Sequence, residues 1–476
     1  MLKSPFESSL QVVPLGILSL EPVLEQISPG EDCFLLESGL DVAGTGLWDI
    51  WGFDPISSFE IAANENSQDL EDRPLKKFDH WFRQWEVEQA PLQLSGETVP
   101  FTGGAVGWLS YELLDDFYEM NAREISSTAN IAWLDELPRL NFSLHDEIYV
   151  RFASTGEAWF LHRNREGWKD RMELRLSSAV VSQPNPETPS MVASSFSESE
   201  YLESVREIQK RIGQGDVYEV NLARGFMVAG CPEPKDLHAR WRQAQPVPYG
   251  ALLQSSTHAV VSASPEQFLR RRNKHICTRP IKGTVPRTGD PLKDQRAGAQ
   301  LLANEKERAE LAMIIDLERN DLGRICMPGS VEVTAVADVE AYSTVLHTVA
   351  TVEGVLQGNP GPGEILEATF PGGSITGAPK RAAMQVIREL EPWPRSVYTG
   401  SIGWLSPNGD LEFNIAIRSA IVAAGQALIP FGGAITWDSD PESESREIGH
   451  KGRAILGTLG LDTCVDPETN LENLPG

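Results

Sequence analysis

Strand-like segments come in runs along this chain, and this succession limits the folds that it can adopt. HAVVSA (258–263) and FLRRR (268–272) are separated by only four residues, and SVEVTAVADVEAYS (330–343) is a third such segment. Each is rich in β-formers and predicts a strand. Because strands come in runs and do not alternate strictly with helices, the pattern predicts an α+β fold with antiparallel sheets.

Helices are predicted elsewhere by apolar residues at helical spacing. The segments are YLESVREIQKRIGQG (201–215), which ends in glycine, ANEKERAELAMIIDLERND (303–321) and ESESREIGHKGRAILGTLG (442–460). The N-terminal part instead carries short strand-like runs, CFLLES (33–38) and AVGWLSYEL (105–113).

A segment rich in Ser, Pro and Glu, VSQPNPETPSMVASSFSESE, is typical of a linker. We therefore expect four parts: an N-terminal segment at 1–180, a linker at 181–200, a larger catalytic domain at 201–465 and a tail at 466–476.

The net charge of −27 argues against nucleic acid or an anionic membrane as a partner. The five cysteines are scattered and form no CxxC pair, so a zinc site or a disulfide framework is not expected. The N-terminus lacks the pattern of a signal peptide, and no run approaches the ~20 apolar residues of a membrane span. A cytoplasmic location is the expectation.

Three carboxylates lie on predicted helices. Glu310 has apolar neighbours, and Glu444 and Glu447 stand three residues apart, so they project from one face of a helix. A hard cation such as Mg²⁺ takes one or two carboxylates together with waters and substrate oxygens. The alternative is that all three are solvated helix charges.

The glycine-rich segment FPGGSITGAPKR (370–381) has the spacing of a phosphate loop at Gly372 and Gly377. However, Ala378 and Pro379 stand where a phosphate loop needs Lys and then Ser or Thr, so a nucleotide site is not predicted. A glycine turn that leads into a helix can offer free N–H groups to a carboxylate. It can equally be a plain helix-starting loop.

Three further side chains each allow two interpretations. Arg418, in the alternating run FNIAIRSAIV, predicts a strand residue that holds a carboxylate or faces solvent. His347 is flanked by apolar residues, which is more typical of a core histidine than of a catalyst. Lys282, in RPIKGTVPR, is either a surface charge on a bend or an amine at a buried reaction centre.

Taken in order, the motifs resemble those of the chorismate-utilising enzymes, which include component I of anthranilate synthase and of aminodeoxychorismate synthase, isochorismate synthase and salicylate synthase. The matching segments are GDVYEVNLARGF (215–226), SASPEQF (262–268), PIKGT (280–284), ERAELAMIIDLERNDLGR (307–324), FPGGSITGAPK (370–380) and YTGSIGWL (398–405). The resemblance implies two antiparallel β-sheets packed as a sandwich with helices on the outside. The N-terminal segment would complete the sandwich.

The resemblance also implies the roles of individual residues. Glu310 and Glu447 would bind Mg²⁺, with Glu444 as a nearer or water-bridged helper, and the ion would hold the ring carboxylate of chorismate. Glu266 would be the general acid, made possible by burial that raises its pKa, and His347 would lie beside the reacting ring. The positions implied to line the substrate are Gly283, Thr284, Thr376, Gly377, Tyr398, Arg418, Gly432, Gly433 and Lys451.

Lys282 indicates the branch of the family. Relatives in which ammonia attacks C2 generally read PIAGT, whereas the branch that makes 4-amino-4-deoxychorismate, a precursor of p-aminobenzoate and folate, reads PIKGT as this chain does. A buried lysine would attack C2 itself and direct ammonia to C4. For this it must be uncharged, and we expect burial and a nearby Mg²⁺ to lower its pKa. The alternatives are an anthranilate synthase component I and a non-catalytic regulatory subunit.

Three residues depart from the family pattern. Glu219 stands where relatives of the aminating type mostly have glutamine and where isochorismate and salicylate synthases have a water-activating lysine. Ala434 replaces a common glycine, and SPEQF, with Gln267, replaces SPERF. Hydroxylation at C2 would lack its usual catalyst here.

Ammonia requires a source. No cysteine has glycine on both sides, as a glutamine-hydrolysing elbow needs, and we expect a separate glutamine amidotransferase subunit. Free ammonium is the alternative donor.

The N-terminal segment and PVPYG match regions that surround a tryptophan pocket in relatives, and the residues concerned are Ser38, Pro248, Tyr249 and Gly250. Ordinary strand packing is the other interpretation.

Overall fold

The computed structural model describes residues 4–42, 44–63, 65, 73–118, 120, 131–177 and 188–461. Strands dominate the part of the chain before residue 180. They are β1 (Gln11–Ile17), β2 (Cys33–Glu37), β3 (Trp48–Phe53), β4 (Ser57–Ile61), β5 (Gln93–Leu94), β6 (Glu97–Thr98), β7 (Gly104–Leu109), β8 (Leu140–His145), β9 (Ile148–Phe152) and β10 (Glu157–His162).

The later part adds the strands that carry most of the residues singled out above. They are β11 (Ser190–Ser194), β12 (Glu219–Ala229), β13 (Tyr249–Gln254), β14 (Ala259–Ser264), β15 (Gln267–Arg272), β16 (His275–Arg279), β17 (Ile281–Pro286), β18 (Glu332–Ala341), β19 (Val345–Val355), β20 (Gly377–Ala378), β21 (Ser401–Leu405), β22 (Leu411–Asn414), β23 (Ser419–Ala423) and β24 (Gln426–Ile435).

The α-helices lie between these strands. They are α1 (Glu21–Glu25), α2 (Pro74–Arg83), α3 (Ala132–Asp135), α4 (Trp168–Ser177), α5 (Glu198–Gln214), α6 (Pro234–Ala244), α7 (Pro291–Ala303), α8 (Glu305–Gly323), α9 (Pro362–Thr369), α10 (Lys380–Leu390) and α11 (Pro441–Leu456). No helix in the described ranges combines the length and apolar character that crossing a membrane requires.

Two large antiparallel sheets form the centre of the protein. In the described residues the first has twelve strands, in the order β1-β10-β9-β3-β2-β13-β14-β23-β24-β12-β11 with β20 beside β12. The second has ten, in the order β17-β19-β16-β15-β22-β21-β7-β8-β4 with β18 beside β19. Each sheet takes strands from both sides of the expected linker. The N-terminal segment therefore completes the sheets of the C-terminal segment.

One core cluster contains buried side chains from both sheets, among them Val260 and Ile148 of the first and Val106 and Trp404 of the second. Outside, α10 packs on β12, α11 on β24 and α8 on β19. The predicted α+β sandwich of antiparallel sheets with outer helices is confirmed.

Local sequence signals begin the helices that bear the carboxylates. The side chain of Asn304 accepts hydrogen bonds from the backbone N–H groups of Lys306 and Glu307, which caps α8. Asp440 caps α11 by accepting from the N–H of Ser443, and Pro441 occupies the first helical position. Glu310 therefore lies in the second turn of α8, and Glu444 in the first turn of α11.

The expected linker is shorter than its composition predicted. Residues 190–194 form β11 and pair with β12, and α5 begins at Glu198 with a capping box between Ser197 and Glu200. Serines that looked like linker composition thus serve as strand and cap residues. Residues 181–187, the expected tail at 466–476 and Cys464 lie outside the described residues.

Candidate active site

Lys282 is a buried amine, not a surface charge. It lies on β17, and its Nζ is 2.6 Å from Oε1 of Glu219 at the start of β12. The two side chains are 9% and 1% exposed. The pair therefore links the edge strand of the second sheet to the next-to-last strand of the first.

The expectation that this environment lowers the pKa of Lys282 is wrong for the protein as it stands. Burial does push the pKa of the amine down, but the negative charges of Glu219 and Glu310 outweigh that effect and raise it above its ordinary value. Glu219 is one of the three residues that the resemblance marks as departures, and its charge is the largest cause that raises the pKa of Lys282. Lys282 is accordingly an ammonium ion near neutral pH.

Glu266 lies in the short connection between β14 and β15 and is fully enclosed. Its Oε1 accepts hydrogen bonds from the hydroxyl of Ser374, at 2.6 Å, and from the backbone N–H of Ile281, at 3.3 Å. Burial raises the pKa of Glu266 to about 7, although both hydrogen bonds favour its ionised form. A carboxyl group with this pKa can donate a proton near neutral pH, as expected from the sequence.

His347 faces Thr284 across the β17–β19 pairing. Its Nδ1 is 2.9 Å from the hydroxyl of Thr284 and 3.3 Å from the carbonyl oxygen of Gly283. Since a carbonyl only accepts, this arrangement places the ring proton on Nδ1. Nε2 is buried without a partner, and burial together with the charge of Arg418 lowers the pKa of His347 to about 3. The ring is neutral and can offer Nε2 to a ligand.

Arg418 is not a strand residue, which corrects the prediction from its alternating neighbours. It lies between β22 and β23 with φ of 51°, and its carbonyl accepts from the N–H of Ala263. The chain bends there because β22 and β23 belong to different sheets. Burial lowers the pKa of Arg418, and its charge acts on Glu266 and His347. The guanidinium therefore belongs to the same site.

The glycine-rich segment folds into a short 3₁₀ turn at Gly373–Ile375 and leads through β20 into α10. Gly377 has φ of 135° and lies against β12, where a Cβ atom would overlap the carbonyl oxygen of Glu219. Only glycine fits this conformation and this contact. The hydroxyl of Thr376 is bonded within the loop, to the carbonyl oxygen of Gly372 at 3.0 Å.

Three buried charges that the sequence did not reveal hold this loop. Glu318 accepts from the N–H of Gly373 at 2.9 Å. Lys380 is paired with Asp321 and donates to the carbonyl oxygen of Pro371 at 2.6 Å. Ser374, which contacts Glu266, was likewise missed, because only the fold brings the loop to the β14–β15 connection.

Gly432 and Gly433 lie on β24 opposite β12. A Cβ atom on Gly432 would come within 2.8 Å of Oδ1 of Asn221 and 2.9 Å of the hydroxyl of Tyr398. The Nζ of Lys451, from α11, donates to the carbonyl oxygen of Gly432 at 2.9 Å. Glycine at 432 thus lets β24 lie close to Asn221 and Tyr398, and Lys451 reaches the same strand from α11.

The three predicted metal ligands differ in how far their side chains are exposed. Glu310 and Glu444 are buried, which raises the pKa of both, to about 7 for Glu310, whereas the side chain of Glu447 is 52% exposed and 2.7 Å from Lys451. The charge of Lys306 acts on all three carboxylates, so they surround a common region.

Within the described ranges no three Asp, Glu, His or Cys side chains are close enough together to form a complete metal site on their own. Magnesium does not require that, because it commonly takes one or two carboxylates plus water and substrate oxygens. The donor set here consists of carboxylates only, and buried Glu310 has the negative charge of Glu219 nearby. These residues fit a divalent cation.

A second cavity of about 230 Å³ lies between the two sheets at β2, β13 and β21. Ser38, Pro248, Tyr249 and Gly250 all line it, as the resemblance implied. Apolar walls come from Ile50 and Trp404, and the basic residues Arg270 and Arg272 also line it. The cavity has the mixed lining that suits a small amphipathic molecule.

Comparison with known proteins agrees with this geometry. The family model for chorismate binding enzymes matches residues 31–457. Aminodeoxychorismate synthase component 1 from Bacillus subtilis is 35% identical over 441 residues, which cover 89% of this chain and 91% of that protein. An anthranilate synthase component 1 from Haloarcula marismortui is 33% identical over 468 residues, covering 94% and 90% of the two chains.

The crystal structure of anthranilate synthase component I from Streptococcus pneumoniae superposes with a TM-score of 0.71 at 26% identity, covering 86% of this chain and 92% of that one. The two-sheet fold and these comparisons place the chain among enzymes that act on chorismate. The chain belongs to the chorismate-binding enzyme family.

Proposed function

We propose that this protein aminates chorismate at C4 and forms 4-amino-4-deoxychorismate, the reaction named for its relative in Bacillus subtilis. The observation that carries the proposal is the buried position of Lys282 beside Glu219 and within the electrostatic reach of Glu266. Relatives that aminate C2 generally have alanine at this position. An amine there covers C2 and leaves C4 to ammonia.

The first half of the reaction forms a covalent adduct. The uncharged amine of Lys282 attacks C2, the two ring double bonds shift, and the C4–O bond breaks. Glu266 donates its proton to the departing hydroxyl, which leaves as water. The adduct nitrogen then carries a positive charge, and Glu266 is a carboxylate.

In the second half, ammonia attacks C4. The double bonds shift back, the C2–N bond breaks, and its electron pair returns to the amine of Lys282. The new amine is para to the ring carboxylate, and the enolpyruvyl group is retained. Neutral His347, with its free Nε2, is placed to accept a hydrogen bond beside the ring.

Cations around the site would bind the substrate's two carboxylates. The charges of Arg418 and Lys451 both act on His347, and the hydroxyl of Tyr398 lies close to Gly432. Glu310 and Glu447, with Glu444 beside them, would hold Mg²⁺, which when bound would offset the charge of the ring carboxylate. Severe weakening of magnesium-dependent activity by Glu310→Gln would support this assignment.

Ammonia would come from a separate glutamine amidotransferase subunit. The relatives' designation as component 1 supports a second component, and the four described cysteines, Cys33, Cys231, Cys277 and Cys326, are all buried. A buried thiol cannot serve as an accessible nucleophile. Ammonium supplied directly should replace the partner in an assay.

The second cavity would bind an aromatic amino acid of the tryptophan type. An indole ring would pack against Ile50 and Trp404, and the carboxylate of the amino acid would meet Arg270. Calorimetry with L-tryptophan tests this proposal. Absence of heat, and no tryptophan released on denaturing the purified protein, would argue for ordinary strand packing around an empty cavity.

The main alternative is an anthranilate synthase component I, because a relative with that name is 33% identical. The purified chain should be incubated with chorismate, Mg²⁺ and ammonium, and its product identified by mass and fluorescence. A para amine that keeps its enolpyruvyl group supports the proposal, whereas anthranilate contradicts it. Chorismate binding without turnover would indicate a regulatory subunit.

A further inference from the structure

The proposed reaction requires an uncharged amine, but the structure holds Lys282 as an ammonium ion. An ammonium nitrogen has no electron pair with which to attack C2. Its proton must therefore move to an acceptor before the C2–N bond forms. The identity of this acceptor is the question that the buried ion pair raises.

Four acidic groups act on Lys282, each from a different element. They are Glu219 on β12, Glu310 on α8, Glu266 before β15 and Glu447 on α11. Of these, Glu219 alone is within ion-pair distance, at 2.6 Å, in the described part of the chain. Glu266 already has Ser374 and Ile281 as partners, and Glu310 and Glu447 face Lys306 and Lys451.

Glu219 is held rigidly by its own backbone. Its strand pairs with both β20 and β24, and its carbonyl oxygen lies directly under Gly377. Of its carboxylate oxygens, Oε1 contacts Lys282 and Oε2 is buried without a partner. The glycine loop therefore holds the backbone from which the Glu219 side chain extends, and the carboxylate of that side chain holds the amine of Lys282.

We propose that Glu219 is the positioning residue of Lys282, which holds Nζ at C2 and takes its proton when the amine attacks. This inference rests on the proposed amination of chorismate. It gives a role to the residue at which the chain departs from its relatives. A glutamine there would hold the lysine through its carbonyl oxygen but would not take a proton.

The protons balance within the site. The ammonium of Lys282 gives one proton to the carboxylate of Glu219, the freed electron pair forms the C2–N bond, and Glu266 protonates the departing hydroxyl. When ammonia has attacked C4 and the C2–N bond breaks, Glu219 returns its proton to the amine. The new ammonium group at C4 gives a proton to the carboxylate of Glu266, which restores the acid for the next cycle. No proton passes to solvent from Lys282 at either step.

Two substitutions separate positioning from proton transfer. Glu219→Gln keeps the hydrogen-bond acceptor, so the para product should remain. The proton of Lys282 must then go to water, and the ratio of the variant's rate to that of the unsubstituted enzyme should rise with pH between 6 and 9. Taking this ratio cancels the titration of Glu266.

Glu219→Ala removes both the proton acceptor and the hydrogen bond that positions the amine of Lys282. Its kcat should therefore fall at least tenfold, with the KM for chorismate changed less than threefold. Some ortho amine should also appear among the products.

The assays use the full chain with Mg²⁺ and ammonium, so that no partner subunit is required. Asp116→Asn is the matched control, because it also neutralises a carboxylate in a buried 2.6 Å ion pair, with Arg139, away from this site. The control should leave product identity and pH profile unchanged. In a Lys282→Ala background, Glu219→Ala should alter the remaining activity less than twofold, since Glu219 acts through the lysine.

The inference is overturned if Glu219→Ala keeps kcat within twofold and makes only para amine. It is also overturned if Glu219→Gln gives a rate ratio that is constant with pH, or if Glu219→Ala is equally damaging with and without Lys282. If the unsubstituted enzyme makes no para amine at all, the proposed function itself fails, which is a distinct result.

Discussion

The hydroxyl of Ser374 donates a hydrogen bond to Oε1 of Glu266 at 2.6 Å, which joins the glycine-rich loop to the proposed general acid. The loop therefore does more than begin a helix, because its hydrogen bond favours the ionised form of the carboxyl that we propose as the acid. Loop and acid are 108 residues apart in the sequence.

The rate of amination should fall as pH rises through about 7, because burial raises the pKa of Glu266 to that value and the reaction needs its protonated form. The hydrogen bond from Ser374 favours the ionised form. Ser374→Ala should therefore shift the falling limb to higher pH, as a kcat profile between pH 6 and 9 would show. If the falling limb of the profile stays at the same pH, Ser374 does not have this role.

Glu266→Gln should lower the rate about 10²–10⁴-fold, because it removes the proposed general acid.

Lys282→Ala should destabilise the protein strongly, because it leaves the carboxylate of Glu219 buried without its partner. Breaking a buried ion pair from one side typically costs about 3–5 kcal/mol in the free energy of unfolding. The double variant Lys282→Ala/Glu219→Gln should recover part of that loss, as measured by urea denaturation. Equal stability of the single and double variants would mean that the pair is not buried as described.

Lys282→Ala should also open C2 to small nucleophiles. We expect some ortho product from chorismate and ammonium, whereas the proposed function predicts para product from the unsubstituted enzyme. Mass and fluorescence of the products distinguish the two. Full rate with para product alone would show that the lysine is not a necessary nucleophile.

Glu447→Gln should weaken magnesium-dependent activity, because it removes one of the proposed magnesium ligands. Glu447 is one of the three carboxylates on which the charge of Lys306 acts. The effect should be seen as a higher magnesium concentration at half-maximal rate. Glu442→Gln, on the exposed side of the same helix, is the matched control and should leave the titration unchanged. Coinciding titrations for both variants would refute the assignment of Glu447.

Gly377→Ala should impair both folding and activity, because φ of 135° is rarely adopted by alanine and its Cβ would overlap the carbonyl oxygen of Glu219. The strand that carries Glu219 would have to move. Gly425→Ala tests the conformational part alone, since Gly425 has φ of 74° in an exposed turn and no atom lies within 4 Å of the added Cβ. A similar loss in both variants would mean that the contact with Glu219 is unimportant.

Elements of regular pattern were predictable from the sequence. The helix that bears Glu310 runs as its apolar spacing predicted, and the helix at 198–214 ends at Gly215 in the left-handed conformation. The alternation around Arg418 was misleading, because two strands of different sheets meet there and the chain bends between them. The spacing of apolar residues identifies the faces of a strand or helix. It does not show where the chain leaves one sheet and enters the other.

Within the site, residue types were predictable and their charge states were not. A buried carboxyl of raised pKa at Glu266 follows from burial alone. The raised pKa of Lys282 depends on a carboxylate 63 residues away, and only the pairing of β12 and β17 with their neighbours brings the two together. The charges that fix the loop, Glu318 and Lys380, were hidden for the same reason.

Hydrogen bonds between β2 and β13 and between β7 and β21 join the first third of the chain to the rest within both sheets. A cut between residues 178 and 187 would expose unpaired strand edges on both fragments. Neither fragment should be soluble alone, but the two made together should reassemble into an active enzyme. This protein is therefore suited to a split reporter whose halves signal only when they meet.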